Sequence, residues 1–367
     1  MSLDFKEVFA RHWRAYEARF GERIPDQHRR AAEAILACGT AALGGALYRC
    51  QDCGTYHFAY HSCNHRNCPL CGHHAGLDWA EKWKAKLIPD VPYHFITFTV
   101  PATLRRVFRS NQELCYKLLF QCSAQALQEL AAMKKYLGAS LGLLGVLHTW
   151  TRQLEYHPHL HYIVPQGGLT PDGAWVRAKD PDYFLPVRRL SIKMRILMQR
   201  AMNAEAPDLY KTIPRSVWRE SWNTYSKPVG SGKHVIDYLS RYVSRTAIGK
   251  HAIVADDGQF VTIRYTESGS GQKKLLRLTG IEFIRRFLQH VLPKGFRRVR
   301  AYGWLSPAAH KRFARIQALL DWKPQPLPEQ TREILCKRCE GVLEWLEHWH
   351  PSRPPPYYWP VAIPLAS

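Results

Sequence analysis

The residues best placed for chemistry are two histidines one residue apart in Leu154-Glu-Tyr-His-Pro-His-Leu-His-Tyr-Ile-Val164. A strand's side-chain period of two puts His159 and His161 on one face, with Leu160, Tyr162 and Val164 on the other. Two imidazoles so placed can share one metal ion, while Leu160 anchors the strand in a core. A third ligand is expected. His157 and Glu155 have the right parity, although Pro158 is expected to interrupt the strand there. His-x-His also arises by chance in a chain with 18 histidines, so the pair gains meaning only from its company.

That company is a tyrosine pair. In Ser231-Gly-Lys-His-Val-Ile-Asp-Tyr-Leu-Ser-Arg-Tyr-Val-Ser-Arg-Thr-Ala-Ile-Gly249, Ile236, Leu239, Val243 and Ala247 form a helical stripe with Gly249 as a stop. Tyr238 and Tyr242, four apart, share a face beside it, and Arg241 and Arg245 form a second i,i+4 pair suited to phosphates. Alone, such tyrosines are ordinary packing. With a metal site they complete the set that phosphodiester cleavage needs: a nucleophile, a Lewis acid and cationic positioning. A free phenol has a pKa of about 10, so it needs activation, and the sequence does not identify the base.

A second chemistry is written in cysteine. Cys50-Gln-Asp-Cys53-Gly54 and Cys68-Pro-Leu-Cys71-Gly72 are two CxxC units separated by fourteen residues. Two tight turns at that spacing can offer four thiolates to one structural Zn²⁺, and the spacing predicts Cys50, Cys53, Cys68 and Cys71 as its ligands. Cys63, His57, His61, His65, His73 and His74 crowd the same stretch, and Cys63 is the first substitute. A closed thiolate site leaves no position for water, so this module is assigned to DNA binding or architecture. A further pair, Cys336-Lys-Arg-Cys339, has no second CxxC nearby. His348 and His350 could complete a set with it, but two thiols on a helix are the plainer expectation.

The elements that must position these groups fall into three regions. Residues 1–90 open with helical patterns at Phe5 to Phe20 and Asp26 to Cys38 and run into the Cys/His-dense stretch. In residues 91–322, Tyr93 to Val100 alternates as a strand and a long amphipathic helix follows from Ala102 to Tyr136. Leu144 to Thr151 and His159 to Pro165 are strands close enough to pair as a hairpin. Helical patterns follow at Leu190 to Ala204 and Ser231 to Ile248, and Gln259 to Thr266 with Lys273 to Leu278 form a second hairpin. Residues 323–367 form a Pro/Trp-rich tail with one short helix, Thr331 to His348. The pattern is that of an α+β domain, an antiparallel sheet with helices packed on it.

Bulk composition narrows the partner. Lys and Arg number 52 against 30 Asp and Glu, a formal charge of +22 that favours a polyanion through counterion release. No run of about 18 apolar residues spans a membrane, and residues 1–18 lack a signal-peptide core, so a cytoplasmic, nucleoid-associated protein is expected. In that reducing compartment the ten cysteines read as metal ligands or small buried residues, not disulfides. No P-loop is present, and no nucleotide cofactor is expected.

From Ala34 to Leu305 the chain resembles the two-tyrosine, rolling-circle transposases of bacterial insertion sequences, the IS-ninety-one-like group with an N-terminal zinc-binding domain. The ordered series carries the resemblance: Ile35-Leu-Ala-Cys-Gly-Thr40, Tyr48-Arg-Cys-Gln-Asp-Cys-Gly54, Ser62-Cys-Asn-His-Arg-Asn-Cys-Pro-Leu-Cys71, Thr97-Phe-Thr-Val-Pro101, His157-Pro-His-Leu-His161, Tyr238-Leu-Ser-Arg-Tyr242, and His290-Val-Leu-Pro-Lys-Gly-Phe-Arg-Arg-Val-Arg-Ala-Tyr-Gly303. The resemblance implies an HUH (His, hydrophobic, His) endonuclease fold in which His159 and His161 hold a catalytic Mg²⁺ or Mn²⁺. Tyr238 and Tyr242 would act in successive cleavage and strand transfer of single-stranded DNA through 5′-phosphotyrosine linkages. Where family members carry Arg-Tyr-Thr-His-Arg, this chain has Arg241-Tyr-Val-Ser-Arg245.

Two other readings use the same residues. A replication initiator or relaxase would share the chemistry, but the zinc module and the Gly295-Phe-Arg-Arg-Val-Arg300 stretch favour a transposase. A non-catalytic zinc DNA-binding protein would leave the histidine and tyrosine pairs as packing.

Overall fold

In a computed structural model the described residues are 3–71, 83, 86–180, 182–231, 235, 246–249, 251–267, 269–323, 333–352 and 362–365. Their strands, in chain order, are β1 (Gly45–Cys50), β2 (Tyr56–Tyr60), β3 (Tyr93–Thr99), β4 (Gly142–Trp150), β5 (Tyr156–Pro165), β6 (Gly167–Leu169), β7 (Trp175–Arg177), β8 (Thr224–Pro228), β9 (Ile253–Asp256), β10 (Phe260–Thr266), β11 (Lys273–Thr279), β12 (Val299–Gly303), β13 (Leu343–Trp349) and β14 (Ile363–Pro364). The chain forms two compact units, one from residues 1–77, 244–291 and 327–367, the other from 78–243 and 292–326. Both mix helices with mainly antiparallel sheets, as the α+β pattern implied.

The second unit is built on a five-stranded antiparallel sheet in the order β12-β4-β5-β3-β8, so the histidine strand β5 is central. Its alternation works as the sequence suggested. Leu160, Tyr162 and Val164 are fully buried in the main core with Tyr116, Phe120 and Leu127 of the helix Gln112–Ala131 and Met194 and Met198 of the helix Val187–Glu205. Tyr162 is held by its hydroxyl, 2.8 Å from Ser123 Oγ and 3.2 Å from the Phe120 carbonyl it donates to. Gly145 on β4 makes room for that ring, because a Cβ there would lie 2.7 Å from Tyr162 Cε1 and 3.2 Å from Phe120 Cε1.

The helix expected from Ala102 to Tyr136 is divided. A 3₁₀ turn, Ala102–Leu104, leads into Arg105–Ser110, and Asn111, at φ −132°, breaks the run before Gln112–Ala131. Pro158 does not end β5, which runs from Tyr156. Opposite it the ladder slips, with His148 facing His159 but Trp150 facing Tyr156, so Pro158 sits in a bulge where its missing N–H leaves no ladder bond open.

In the first unit the helix Phe5–Phe20 packs on the helix Gly280–Leu288 through Phe5, Phe9, Phe283 and Phe287. Asp256 at the end of β9 accepts from Arg11 at 2.7 Å and pairs with the buried His12 at 2.9 Å. The strands β9, β10 and β11 form an antiparallel sheet, its β10–β11 hairpin as expected. The other sheet has the order β13-β1-β2-β14, and its outer strands come from the C-terminal segment. The helix expected over Thr331 to His348 is therefore corrected: residues 343–349 are strand, and Leu335 bridges Val342 across a tight turn. On this edge strand only Leu343 is buried; Trp345 lies exposed opposite Tyr48 of β1, and Leu346 falls at the register shift between Leu47 and Tyr48. Of the helix expected over Ser231 to Ile248, residues 232–234 and 236–245 lie outside the described residues; Val235 is helical, and residues 246–248 are not. Among the described residues no helix is long and apolar enough to cross a membrane.

Candidate functional site

On the central sheet the ladder fixes three imidazoles together. His159 and His161 project from one face of β5, and His148 of β4 stands directly opposite His159. A ligating nitrogen from each lies within 4.8 Å of those of the other two. The rings stand nearly perpendicular to one another: His159 to His161 has centroids 4.6 Å apart at 89°, and His148 to His161 4.7 Å apart at 77°. Edges so crossed bring nitrogens towards a common point, whereas stacked rings would not.

Neighbouring groups set the orientation of each ring. His159 Nδ1 lies 2.6 Å from the His157 carbonyl, an acceptor only, so Nδ1 carries the proton and the lone pair is on Nε2. His161 Nδ1 lies 3.1 Å from Thr97 Oγ1 on β3, and the ring stacks on Phe95 at 4.8 Å. His148 stacks on Trp150 at 4.6 Å. Burial pushes His159 down to about 4, with the charges of His157 and Arg105 adding to the effect, and pushes His157 to about 4 with Arg105 again contributing. His159 is therefore neutral near pH 7, the form that binds metals.

The third ring is the one the sequence did not offer. Glu155 and His157 are not in the cluster, because the bulge at Pro158 disturbs the parity that would have aligned them with His159. His148 comes from the neighbouring strand, and only the hairpin register reveals it. Arg105, whose helix packs on β5, is a cation beside the histidines that sequence reasoning also missed. Tyr238, Tyr242, Arg241 and Arg245 lie outside the described residues. Elsewhere in the same unit, Lys117, Lys294, Arg297 and Arg300 line an open groove of about 900 Å³.

The thiols regroup. Cys50 and Cys53 do not meet Cys68 and Cys71; two separate four-cysteine clusters form, Cys38 with Cys63, Cys68 and Cys71, and Cys50 with Cys53, Cys336 and Cys339. The reason is the strand between the pairs. Cys50 and Cys53 cap the β1–β2 turn, and the five residues of β2 carry the chain about 17 Å away before Cys63 is reached. Cys63, named as a substitute, is a full member, and Cys38, at the end of the helix Asp26–Ala37, was missed although Cys38-Gly39 punctuates that helix. His57 is buried with Nε2 3.1 Å from Cys336 Sγ, but neither it, His61 nor His65 belongs to a cluster, and His73 and His74 lie outside the described residues.

The spacing of the sulfurs is informative. Cys63 and Cys71 are 3.6 Å apart, Cys50 and Cys339 3.4 Å, and Cys53 and Cys336 3.7 Å. A disulfide would bring sulfurs to about 2 Å. A tetrahedron of thiolates about 2.3 Å from zinc has edges of about 3.8 Å. Backbone N–H groups already point at the first cluster: Cys63 N–H donates to Cys38 Sγ and His65 N–H to Cys63 Sγ, each at 3.5 Å. The thiols compete for ionisation, with Cys38 pulled down chiefly by its contact with Cys63, and Cys63 pushed up to about 12 chiefly by Cys38. A dication among them removes that competition by favouring all four thiolates.

Comparison with known proteins finds two families along the chain. A family described as "Transposase zinc-binding domain" matches residues 8–100, and one described as "Putative transposase" matches residues 142–312. The chain is 36% identical to "Putative transposase y4qJ" of Sinorhizobium fredii over 346 residues, 89% of this chain and 86% of the relative. It is 30% identical to the "Transposase for insertion sequence element IS801" of Pseudomonas savastanoi pv. phaseolicola over 286 residues, 74% of this chain and 68% of the relative. No solved structure matches the chain.

Proposed function

The chain belongs to the IS-ninety-one-like (IS91-like) transposases, and from that premise we propose that it cleaves and rejoins single-stranded DNA at the ends of its insertion sequence through a covalent tyrosine intermediate. A transposase acts on DNA, and the zinc-binding domain with its cysteine clusters supports a structural role for zinc. The single observation that carries the finer reading is the cluster of His148, His159 and His161 on adjoining strands of the central sheet.

In this reading those three imidazoles hold a catalytic Mg²⁺ or Mn²⁺. Their all-nitrogen donor set suits Mn²⁺ better than the oxygen-seeking Mg²⁺. When bound, the ion supplies Lewis-acid stabilisation of charge on the scissile phosphate. His148 completes the set from within the sheet, so it does not depend on a histidine at position 244, where this chain has serine. Tyr238 or Tyr242 is the nucleophile: its phenolic oxygen bonds to phosphorus, the phosphorus–O3′ bond breaks, and the phenol's proton is balanced by the one O3′ gains. The products are a 5′-phosphotyrosine and a free 3′-OH. Attack of a 3′-OH on that linkage reverses the step and joins strands, which is why no nucleotide cofactor is required. The second tyrosine serves a second cleavage, and Arg241, Arg245 and Arg105 hold phosphate oxygens. The enzyme acts on nucleoid DNA in the bacterial cytoplasm, and its ten cysteines then serve in a reducing compartment.

The groove lined by Lys117, Lys294, Arg297 and Arg300 supports a backbone-tracking path for a single strand. The test is incubation of the protein with end-labelled single-stranded DNA from the element's termini and Mn²⁺, followed by denaturing electrophoresis. A protein-linked band is expected from wild type. Its absence there, or its survival in Tyr238→Phe/Tyr242→Phe or in EDTA, contradicts the proposal and favours a non-catalytic DNA-binding protein.

A further inference from the structure

We propose that the chain binds a second structural zinc ion, between Cys50 and Cys53 of the N-terminal region and Cys336 and Cys339 of the C-terminal segment. The matched zinc-binding family ends at residue 100, so it contains the whole of the Cys38 cluster but only half of this one.

Two observations carry the site beyond the proximity of four sulfurs. The first is that the two CxxC turns have the same backbone construction. In one, Gly54 N–H donates to the Cys50 carbonyl at 3.1 Å and Cys50 N–H to the Thr55 carbonyl at 2.9 Å. In the other, Glu340 N–H donates to the Cys336 carbonyl at 2.9 Å and Cys336 N–H to the Gly341 carbonyl at 2.8 Å. The fifth residue of each turn is left-handed, Gly54 at φ 67° and Glu340 at φ 61°. Glycine takes that conformation freely, but glutamate does so at a cost of about 1–2 kcal/mol, so the C-terminal turn is held in a knuckle its own sequence does not favour. Arg338 N–H points at Cys336 Sγ at 3.4 Å, as an N–H should when it stabilises a thiolate.

The second is how the two knuckles are brought together. β13 pairs with β1 from Gly45–Trp349 to Cys50–Leu343, and Gln51 N–H continues the ladder to the Val342 carbonyl. Cys336 and Cys50 are then buried with Leu343 in one small apolar cluster, while Cys53 and Cys339 are exposed. Gly341 packs so closely on Asp52 that any Cβ there would collide with the carboxylate. The knuckles thus face each other across a sheet that joins residues about 290 apart in the chain. Cys50 meets Cys339 and Cys53 meets Cys336 at tetrahedral-edge distances.

Closing so long a loop is where a metal clip does most for a fold, because the unfolded chain loses the most freedom. The C-terminal segment is therefore part of the zinc-binding unit and not a tail appended to it. The thiolate chemistry selects Zn²⁺ over the hard cation suited to the histidine site.

The exposure of Cys53 and Cys339 allows a test on the unmodified full chain. Zinc is counted by elemental analysis of the purified protein, and N-ethylmaleimide labelling is followed by peptide mass spectrometry before and after a strong zinc chelator. Two zinc ions per chain are expected, with Cys53 and Cys339 protected until the chelator is added and both labelled after it. One zinc ion with prompt labelling of Cys53 and Cys339 would overturn the proposal, as would a Cys50–Cys339 or Cys53–Cys336 disulfide that resists labelling until a reductant is added. In parallel, Cys339→Ser is expected to lose one zinc ion and Cys339→His to keep both; unchanged zinc in Cys339→Ser also refutes the site.

Discussion

Thr97→Val removes one hydroxyl from the neighbourhood of the three histidines and little else. Thr97 lies on β3 opposite His161, half-buried, with Oγ1 3.1 Å from His161 Nδ1. Coordination through Nε2 requires the proton on Nδ1, and the threonine hydroxyl accepts it, fixing tautomer and ring direction together. Loss of such an outer contact weakens metal binding about 10–100-fold. The lower end is expected here, because Phe95 stacked on the ring at 4.8 Å still limits its rotation, and a net neutral hydrogen bond contributes only about 0.5–1.5 kcal/mol. Valine keeps the β-branch that suits the strand, so thermal stability without metal should change little. Mn²⁺ titration followed by electron paramagnetic resonance would measure the affinities of wild type, Thr97→Val and His161→Ala. About a tenfold loss is expected for the first variant and loss of the site for the second. Equal affinities for Thr97→Val and wild type, with His161→Ala inactive in binding, would refute the claim that Thr97 orients the ring.

Three further outcomes follow from the same geometry. Gly145→Ala is expected to cost about 1–3 kcal/mol in urea unfolding, since the new methyl overlaps a Tyr162 ring pinned by Ser123 and Phe120, and Gly145→Ala/Tyr162→Leu should cost less than the two changes summed. His157 and His159 are both held at about 4 in the fold against about 6.5 in an unfolded chain. The unfolded state thus binds more protons between those values, so metal-free stability should be fully present above about pH 6.5 and fall as pH drops towards 4; a flat profile over that window contradicts the burial. Lys294→Ala and Arg297→Ala should each reduce the salt dependence of single-strand binding, by about 0.7 in the slope of log K against log salt, if the groove tracks phosphates.

How much was legible depended on how far apart in sequence the information lay. Leu160, Tyr162 and Val164 announced a buried face of β5, and the opposite parity of His159 and His161 followed from that strand alone. His148 did not, because its place is set by the hairpin register and a bulge at Pro158, neither of which a single strand's periodicity contains. The cysteines repeat the lesson. Cys50 and Cys53 share one tight turn, but the nearest CxxC in sequence lies beyond the length of β2, and the cysteines they meet are nearly three hundred residues away. The tail failed for a related reason: residues 343–349 look helical in a short window, and their strand state is set by a ladder to β1 that runs from Leu343 opposite Cys50 to Trp349 opposite Gly45.

The measurement closest to the central claim is mapping of the covalent bond itself. Wild-type protein, Mn²⁺ and a single-stranded end substrate would be trapped after cleavage, digested with trypsin and nuclease, and read by tandem mass spectrometry. A nucleotide 5′-phosphate on Tyr238 or Tyr242 that disappears in His148→Ala is expected. Cleavage without any tyrosine adduct, or an adduct on a different residue, would contradict it.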